Sequence, residues 1–397
     1  MSVISKTGKY IGLVLHDTPK YSETFFMSKI EGLVNSGYNV LLFAPNMKKM
    51  KISGCTIIEP PVVKSNSVLS YMFLIIPLIK LLFRNPQRLK KFLSLEMGTN
   101  KSFVNSVKNA CLNSHILLKD FEWIHFGFAT CAINRENIAT VVGAKMAISF
   151  RGYDINVYPL KFPNAYTSIW NKVDKVHSIS DSLYAKALQL GLSPNTPYSK
   201  ITPAIDVDFY NKVDKISKSK TLRLFTVGRL TWIKGFDYSI EAMKILSDRG
   251  IDFKYTIAGD GALNERLKYL VHLYGLQDKV IFVGAITKGE ILSYLRKTDI
   301  YLQPSLEEGF CNAILEAQSC QCLCIASNVG GLRENIVDDE SGWLVKKRSP
   351  DAIANKVIEV LNLSEEKKSK VRAYATNRVK TKFSLEEQIQ KFSKFYL

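Results

Sequence analysis

Short apolar runs rich in β-branched and aromatic residues alternate along the chain with stretches whose apolar positions recur at helical spacing. In the first half the runs fall at residues 10–15, 40–43, 123–125, 145–149 and 175–179, and each reads as a buried strand. Residues 23–36 carry the period of a helix and stop at Gly37, a C-cap signal. Residues 206–220 are polar and lysine-rich and read as a crossing between domains. A second series follows, with strands at 222–227, 253–258, 280–283, 300–303 and 322–326. Its helices fall at 236–249, 263–274, 350–363, 365–379 and 384–395. The alternation predicts two α/β domains, each a doubly wound parallel sheet, with a cleft between them and ligands at the carboxyl ends of strands.

One run breaks the pattern. Residues 68–83 read VLSYMFLIIPLIKLLF and are followed by Arg84, Arg88, Lys90 and Lys91. With Pro77 and Lys80 inside, the run falls short of the roughly 20 apolar residues that a spanning helix needs. It is either a segment lying in a membrane interface or a buried core helix with a basic end. The opening residues 1–9 are polar, so no secretory signal is expected there.

Composition narrows the class. At 397 residues, 46% hydrophobic and 23% charged, the chain is neither disordered nor fibrous. Seven Cys are scattered without a C-x-x-C pair, which excludes a disulfide scaffold and a zinc ribbon and suits a reducing cytosol. Cys320, Cys322 and Cys324 repeat with the period of a strand and read as core. Of the formal net charge of +18, +13 falls in residues 1–203 and +5 in residues 204–397. A basic first half either attracts an anionic surface or is a solvated lysine-rich face. No nucleic-acid-binding signature accompanies it.

Two segments carry candidate chemistry. Gly228-Arg229-Leu230-Thr231-Trp232-Ile233-Lys234-Gly235 follows a strand, so Arg229 and Lys234 stand at its mouth, either gripping phosphate oxygens or capping a loop. Residues 304–317, PSLEEGFCNAILEA, follow the strand at 300–303 and run into a helix whose start offers an anion site. Helical spacing would put Glu308 and Glu316 near one face, where carboxylates can hold vicinal hydroxyls; the bland reading is a dipole-favoured acid and a surface acid.

Together, G-R-L-x3-K-G at 228–235, P-S-x2-E-G-F at 304–310 and E-x7-E at 308–316 resemble the family 4 retaining glycosyltransferases of the GT-B fold. Ala258-Gly259-Asp260-Gly261, Phe282-Val283-Gly284 and Val329-Gly330-Gly331-Leu332-Arg333-Glu334 support the likeness. The resemblance implies two Rossmann-like domains facing each other across a cleft. An acceptor domain would span 1–204, joined by a returning C-terminal helix at about 381–397, and a donor domain 205–380. Arg229 and Lys234 would clamp the donor diphosphate, with Gly228 and Gly259 at the same turn. Glu308 would hold the donor sugar beside the amides of Gly309 and Phe310, Glu316 the ribose, and Val283 would flank the base. The implied donor is a UDP, GDP or other nucleotide-diphosphate sugar, and no metal or other cofactor is expected.

The first half resembles the exopolysaccharide, colanic-acid and capsule branch, through Pro19-Lys20-Tyr21-Ser22-Glu23-Thr24-Phe25, His125-Phe126-Gly127 and Ser149-Phe150-Arg151-Gly152-Tyr153-Asp154-Ile155. Ser22, Glu23, Thr24, His125, Arg151 and Asp154 would then face the acceptor or donor sugar. Two departures stand out: residues 20–24 replace a Gly-rich first turn, and Arg151 stands where the family carries His. The expected protein is a metal-independent retaining transferase at the inner face of the cell membrane. Its acceptor would be a glycan or a polyprenyl-diphosphate-linked saccharide. The rivals are a non-catalytic sugar-nucleotide-binding scaffold and another GT-B enzyme, an epimerase or a phosphorylase.

Overall fold

The computed structural model describes residues 9–17, 24–45, 52–61, 68–99, 101–211 and 220–397. The chain divides into two compact units, Met1–Ile201 with Ile389–Leu397, and Thr202–Gln388. Unit 1 is built on β1 (Tyr10–Val14), β2 (Asn39–Phe43), β3 (Cys55–Ile58), β4 (Trp123–Phe126), β5 (Lys145–Phe150), β6 (Lys175–Ser178) and β7 (Tyr198–Lys200). They pair in parallel in the order β3-β2-β1-β4-β5-β6-β7. Unit 2 repeats the plan with β8 (Leu222–Val227), β9 (Phe253–Ala258), β10 (Val280–Gly284), β11 (Ile300–Gln303), β12 (Leu323–Ser327) and β13 (Trp343–Val345), ordered β10-β9-β8-β11-β12-β13. Each sheet reverses its winding beside its first strand, between β1 and β4 and between β8 and β11. Doubly wound sheets bind ligands at such switch points, outside the carboxyl ends of the strands.

The central strands are buried along nearly their whole length, as parallel strands covered on both faces must be. The strands unpredicted from pattern, β3, β7 and β13, are short edge strands. Residues 206–220 are not all linker: Val207–Asn211 forms a helix of unit 2. The run at 68–83 becomes the helix Val68–Arg84, whose described part buries Leu81 and exposes Ile75, Ile76, Ile79, Leu82 and Phe83.

The C-terminal residues pack into unit 1 through Phe392, Phe395 and Tyr396, which join the core of Ile11, Leu13 and Trp123. A Cβ on Gly32 would stand 2.6 Å from Ile389, so the helix Thr24–Asn35 needs glycine there to approach the C-terminal helix Leu385–Phe395. Beneath lies a buried polar chain. His177 Nε2 is 2.8 Å from the Ile201 carbonyl, which can only accept, so Nε2 carries the proton. His177 Nδ1 then accepts from Ser149 Oγ at 2.7 Å, and Ser149 accepts from His125 Nε2 at 2.7 Å. That leaves His125 Nδ1 to accept from the Tyr396 hydroxyl at 2.6 Å. The Lys29 amine lies 3.2 Å from His125 Nδ1 and 4.4 Å from the centre of the Phe392 ring. Burial, and then the charge of Arg151, push Lys29 well below the usual lysine range.

These groups make unit 1 acid-sensitive. Burial, followed by neighbouring cations, holds His125 and His177 well below the ordinary histidine value and His115 down to about 3. A base with a lowered folded-state pKa binds fewer protons folded than unfolded, so stability falls as pH drops below about 6.5. Each such group adds a slope of up to about 1.4 kcal/mol per pH unit. His115→Leu should flatten the fall in urea-unfolding stability between pH 6 and pH 4 by close to one proton's worth. Unchanged slopes in both proteins would overturn the account.

Candidate functional site

At the carboxyl edge of unit 2 the loops knit backbone to backbone. Gly228 N–H donates to the Ala258 carbonyl at 3.0 Å, and Leu230 N–H to the Asp260 carbonyl at 2.9 Å. Gly259 sits at φ +132°, and a Cβ there would fall 1.9 Å from the Gly228 carbonyl oxygen. Only glycine allows that approach. The loop then closes in a 3₁₀ turn, Trp232–Lys234, and Leu306 N–H donates to the Ile233 carbonyl at 2.8 Å, joining the loops that follow β8 and β11. Arg229 stays exposed at the rim.

This closure delivers Lys234 to Glu308. The two form an ion pair with side chains only 17% and 11% exposed. Three further polar groups line up behind it. Tyr301 Oη donates to Gln303 Oε1 at 2.9 Å, Gln303 Nε2 to Ser305 Oγ at 2.8 Å, and Ser305 Oγ to Glu308 Oε1 at 3.0 Å. Among the described residues these contacts all fall on Oε1 of Glu308. Burial alone would lower the Lys234 pKa, but the carboxylate of Glu308 outweighs it and the net shift is upward, so Lys234 stays an ammonium ion. Behind the acid, Gly331 N–H donates to the Glu308 carbonyl at 2.9 Å. A Cβ on Gly330 or Gly331 would come 2.2 Å from the Glu308 oxygen or 2.0 Å from that of Gly309.

The expectation that Glu308 and Glu316 share a helical face is corrected. The helix starts only at Asn312, so Glu308, Gly309 and Phe310 belong to the preceding loop, and Glu308 is turned by Lys234 rather than by helical geometry. The helix start is also partly occupied, since Cys311 N–H donates to Asn335 Oδ1 at 2.9 Å. Glu316 is half-buried on the helix Asn312–Ser319, which packs on Val207–Asn211. Burial raises its pKa, opposed by the Tyr210 hydroxyl and the charge of Lys288. Val283 is half-buried near the end of β10, where a bulge precedes Gly284. Cys320, Cys322 and Cys324 are buried around β12.

In unit 1 the candidates separate. Ser22 and Glu23 lie outside the described residues, and Thr24 opens the helix Thr24–Asn35. His125 is fully buried in the histidine chain, and Asp154 is 1% exposed. The Asp154 carboxylate accepts from the amides of Ala129 (3.0 Å), Arg151 (3.0 Å) and Gly152 (2.8 Å). His125 lies in β4 and spends both ring nitrogens inside the core, while Asp154 holds loop amides, so burial turns both away from the ligand-facing role expected of them. Arg151 does reach the carboxyl edge: its Nε donates to the Gly127 carbonyl at 3.1 Å, and its guanidinium stacks 3.8 Å from the Phe25 ring centre.

Beside the β1–β4 switch point unit 1 holds a cavity of about 590 Å³ lined by His16, Asn113, Phe128, Arg135, Tyr153 and Tyr158. Sequence reasoning passed over these residues. The one available signal was the position of His16 directly after the first strand run. A larger cavity in unit 2, about 740 Å³, opens between β8, β11 and the helix Glu365–Lys382 near Leu222, Ile300 and Arg372. It lies at the amino ends of the strands, the wrong edge for the motif chemistry.

Comparison with known proteins agrees with this geometry. The model of the family described as glycosyl transferases group 1 matches residues 209–378. The amylovoran biosynthesis glycosyltransferase AmsK of Erwinia amylovora is 27% identical over 357 residues, 85% of this chain and 86% of that protein. An Escherichia coli UDP-Gal:alpha-D-GlcNAc-diphosphoundecaprenol alpha-1,3-galactosyltransferase is 28% identical over 226 residues, 54% of this chain and 56% of its own. The Anabaena protein Alr3699/HepE, solved with UDP and glucose, superposes with a TM-score of 0.71 at 15% identity, covering 97% of this chain and 98% of that one. With both sheets doubly wound, the chain has the GT-B fold, and its residues 209–378 match the glycosyl transferases group 1 family.

Proposed function

We propose that this glycosyltransferase moves a sugar, with retention and without a metal, from a nucleotide-diphosphate sugar held by unit 2. The acceptor is a lipid-linked or growing surface polysaccharide received by unit 1. The observation that carries the reading is the pairing of Lys234 with Glu308 at the β8–β11 switch point, where a buried ammonium and a half-engaged carboxylate stand side by side. Lys234 and Arg229 meet the diphosphate oxygens and stabilise the charge that develops as the nucleotide leaves. Oε2 of Glu308 accepts from the sugar hydroxyls, with the amides of Gly309 and Phe310 offered by the same loop. Glu316 accepts from the ribose hydroxyls, and Val283 flanks the base. The acceptor hydroxyl attacks the face that the nucleotide departs from, and a leaving-phosphate oxygen takes its proton, so the protein's share is position and field. In unit 1, Arg151 and the cavity of His16, Arg135 and Tyr153 suit an acceptor bearing phosphate and sugar rings. The AmsK and undecaprenol-linked relatives support a place in surface-glycan assembly.

The enzyme works at the inner face of the membrane. No described helix is long and apolar enough to cross a bilayer, yet Val68–Arg84 presents Ile75, Ile76, Ile79, Leu82 and Phe83 outward beside Lys80 and Arg84. The expected cationic cluster is smaller than its sequence. Arg88 is engaged by the Leu117 and Lys119 carbonyls and Asp120, and Lys91, though exposed, by the Thr140 carbonyl. Lys80, Arg84 and Lys90 remain exposed.

Arg229→Ala should lower transfer at least about a hundredfold with an unchanged melting temperature, because Arg229 is a rim residue supplying one charge stabiliser. Lys234→Ala should lose activity to a similar degree and also some stability, since it strands the nearly buried Glu308. Transfer should persist in EDTA. Near-normal turnover in both variants, or activity abolished by EDTA and restored by magnesium or manganese, would overturn the assignment.

Replacing Lys80, Arg84 and Lys90 together with Gln should weaken adsorption to anionic vesicles about a hundredfold, at about 1 kcal/mol for each charge. Salt should weaken wild-type adsorption in the same direction. Equal and salt-independent binding to neutral and anionic vesicles would exclude this membrane face.

A further inference from the structure

The short helix Val207–Asn211 begins what sequence pattern reads as a linker, yet it is held more firmly than a linker requires. Asp206 Oδ1 accepts from the Phe209 amide at 3.0 Å, and Ile205 N–H donates to the Phe383 carbonyl at 3.0 Å. The Cys320 thiol donates to the Tyr210 carbonyl at 3.5 Å, tying the segment to the end of the helix Asn312–Ser319 that carries Glu316. The Tyr210 ring packs edge-on to Phe209 with centroids 5.0 Å apart. Lys288 Nζ caps both rings, 4.2 Å from the centre of Phe209 and 5.2 Å from that of Tyr210.

All this fixes a side chain with one unanswered group. Tyr210 is 2% exposed, and its buried hydroxyl has no hydrogen bond of ordinary geometry among the described residues. A buried phenol normally finds a partner, and one that does not calls for an explanation. Glu316 lies on the helix that packs against this segment. After burial, the charge of Glu316 is the largest influence raising the Tyr210 pKa, and the Tyr210 hydroxyl in turn draws that of Glu316 down. Tyr210 therefore stays protonated and can only donate toward the carboxylate. Lys288 adds a positive charge on the same side.

We infer that Tyr210 is a positioning residue for nucleotide recognition: its hydroxyl closes onto one oxygen of Glu316 and aims the other lone pairs at the two vicinal hydroxyls of the donor ribose. This rests on the reading of Glu316 as the ribose-binding carboxylate. A carboxylate held only by solvent rotates about its last bond, and a bidentate grip on a cis-diol tolerates little rotation. Tyr210 supplies the stop. The consequence is selectivity for ribonucleotides over 2′-deoxyribonucleotides, since the 2′-hydroxyl is half of what Glu316 grips.

The test is calorimetric binding of UDP and GDP, each beside its 2′-deoxy form, to the full chain, its Tyr210→Phe variant and its Glu316→Gln variant. Wild type should prefer the ribonucleotide of whichever base binds by about tenfold or more, the value of a charge-assisted hydrogen bond. Tyr210→Phe should lose most of that preference by weakening the ribonucleotide several-fold, with the deoxynucleotide affinity held within twofold. Its melting temperature should match or exceed wild type, because the change removes an unsatisfied buried hydroxyl. A Tyr210→Phe protein that keeps the full preference while Glu316→Gln loses it overturns the positioning role and leaves Glu316 on the ribose. Preference kept by both variants overturns the ribose reading itself. A Tyr210→Phe protein weakened equally toward both nucleotides, with a lowered melting temperature, would make Tyr210 a packing residue and also overturn the proposal.

Discussion

Everything at the carboxyl edge of unit 2 depends on main chain touching main chain. Three loops leave β8, β9 and β11, and a fourth leaves β12. They stack without side chains between them because Gly259 lies under Gly228 and Gly330 and Gly331 lie under Glu308 and Gly309. One added methyl at Gly259 would need the Gly228 carbonyl to move by more than an ångström, since real Cβ contacts do not fall near 1.9 Å. Such a movement would separate Lys234 from Glu308, and displacements of that size are enough to disable a charge-stabilising site. The glycines of A-G-D-G and V-G-G-L-R-E thus serve the same end as the charged residues. They set the spacing at which an ammonium and a carboxylate can share a nearly dry corner and still present a free oxygen.

The fold was legible where strands are central. Buried on both faces, β1, β4, β8, β11 and β12 leave uninterrupted apolar runs that no helix period imitates. The edge strands β3, β7 and β13 are three or four residues long and, in the first two, half wet, so their pattern is too brief to read. Arg229, Lys234 and Glu308 were legible as candidates because each sits in a loop that follows a strand, whereas Val283 lies inside β10 and Glu316 on the helix Asn312–Ser319. The relation between them was not: Glu308 and Glu316 looked like helical neighbours, whereas the loop continues to Cys311 and hands Glu308 to Lys234. Burial was equally invisible. Nothing local in His125 or Asp154 announces that a C-terminal tyrosine and three backbone amides will use up their polar atoms. The cavity of His16, Arg135 and Tyr153 draws residues from across some 140 positions, a grouping that only the sheet order creates.

The two units share a topology and differ in how they treat charge. Unit 2 keeps its key ammonium paired with a carboxylate at the strand ends. Unit 1 buries a lysine against a histidine and two aromatic rings, where solvation loss favours the neutral amine. That choice joins the C-terminal residues to β4, β5 and β6 by a run of neutral hydrogen bonds whose direction is fixed from the Ile201 carbonyl outward. A chain of this kind has one satisfied pattern of protons, and any added proton breaks it. The C-terminal aromatics are therefore held by a device that specifies a single arrangement at neutral pH and weakens in acid.

The excess of +13 in the first half now has a structural meaning different from its sequence meaning. Several of those cations are already engaged by the protein itself. Arg88 and Lys91 cap carbonyls, Arg135 bonds Asn113 and the Cys131 carbonyl, Lys172 bonds Asn137, and Arg151 spans Gly127 and the Phe25 ring. A cation already bound to a fixed carbonyl still contributes to the long-range potential, but it cannot form a close contact without giving up its partner. Net charge therefore overstates how many residues can grip a phosphate surface. Two exposed cations, Lys80 and Arg84, flank the apolar ridge of Ile76, Ile79 and Phe83 on one helix. Burying that ridge and neutralising those charges would each be weak alone. Two weak contributions of this kind add when one helix carries both to the same surface.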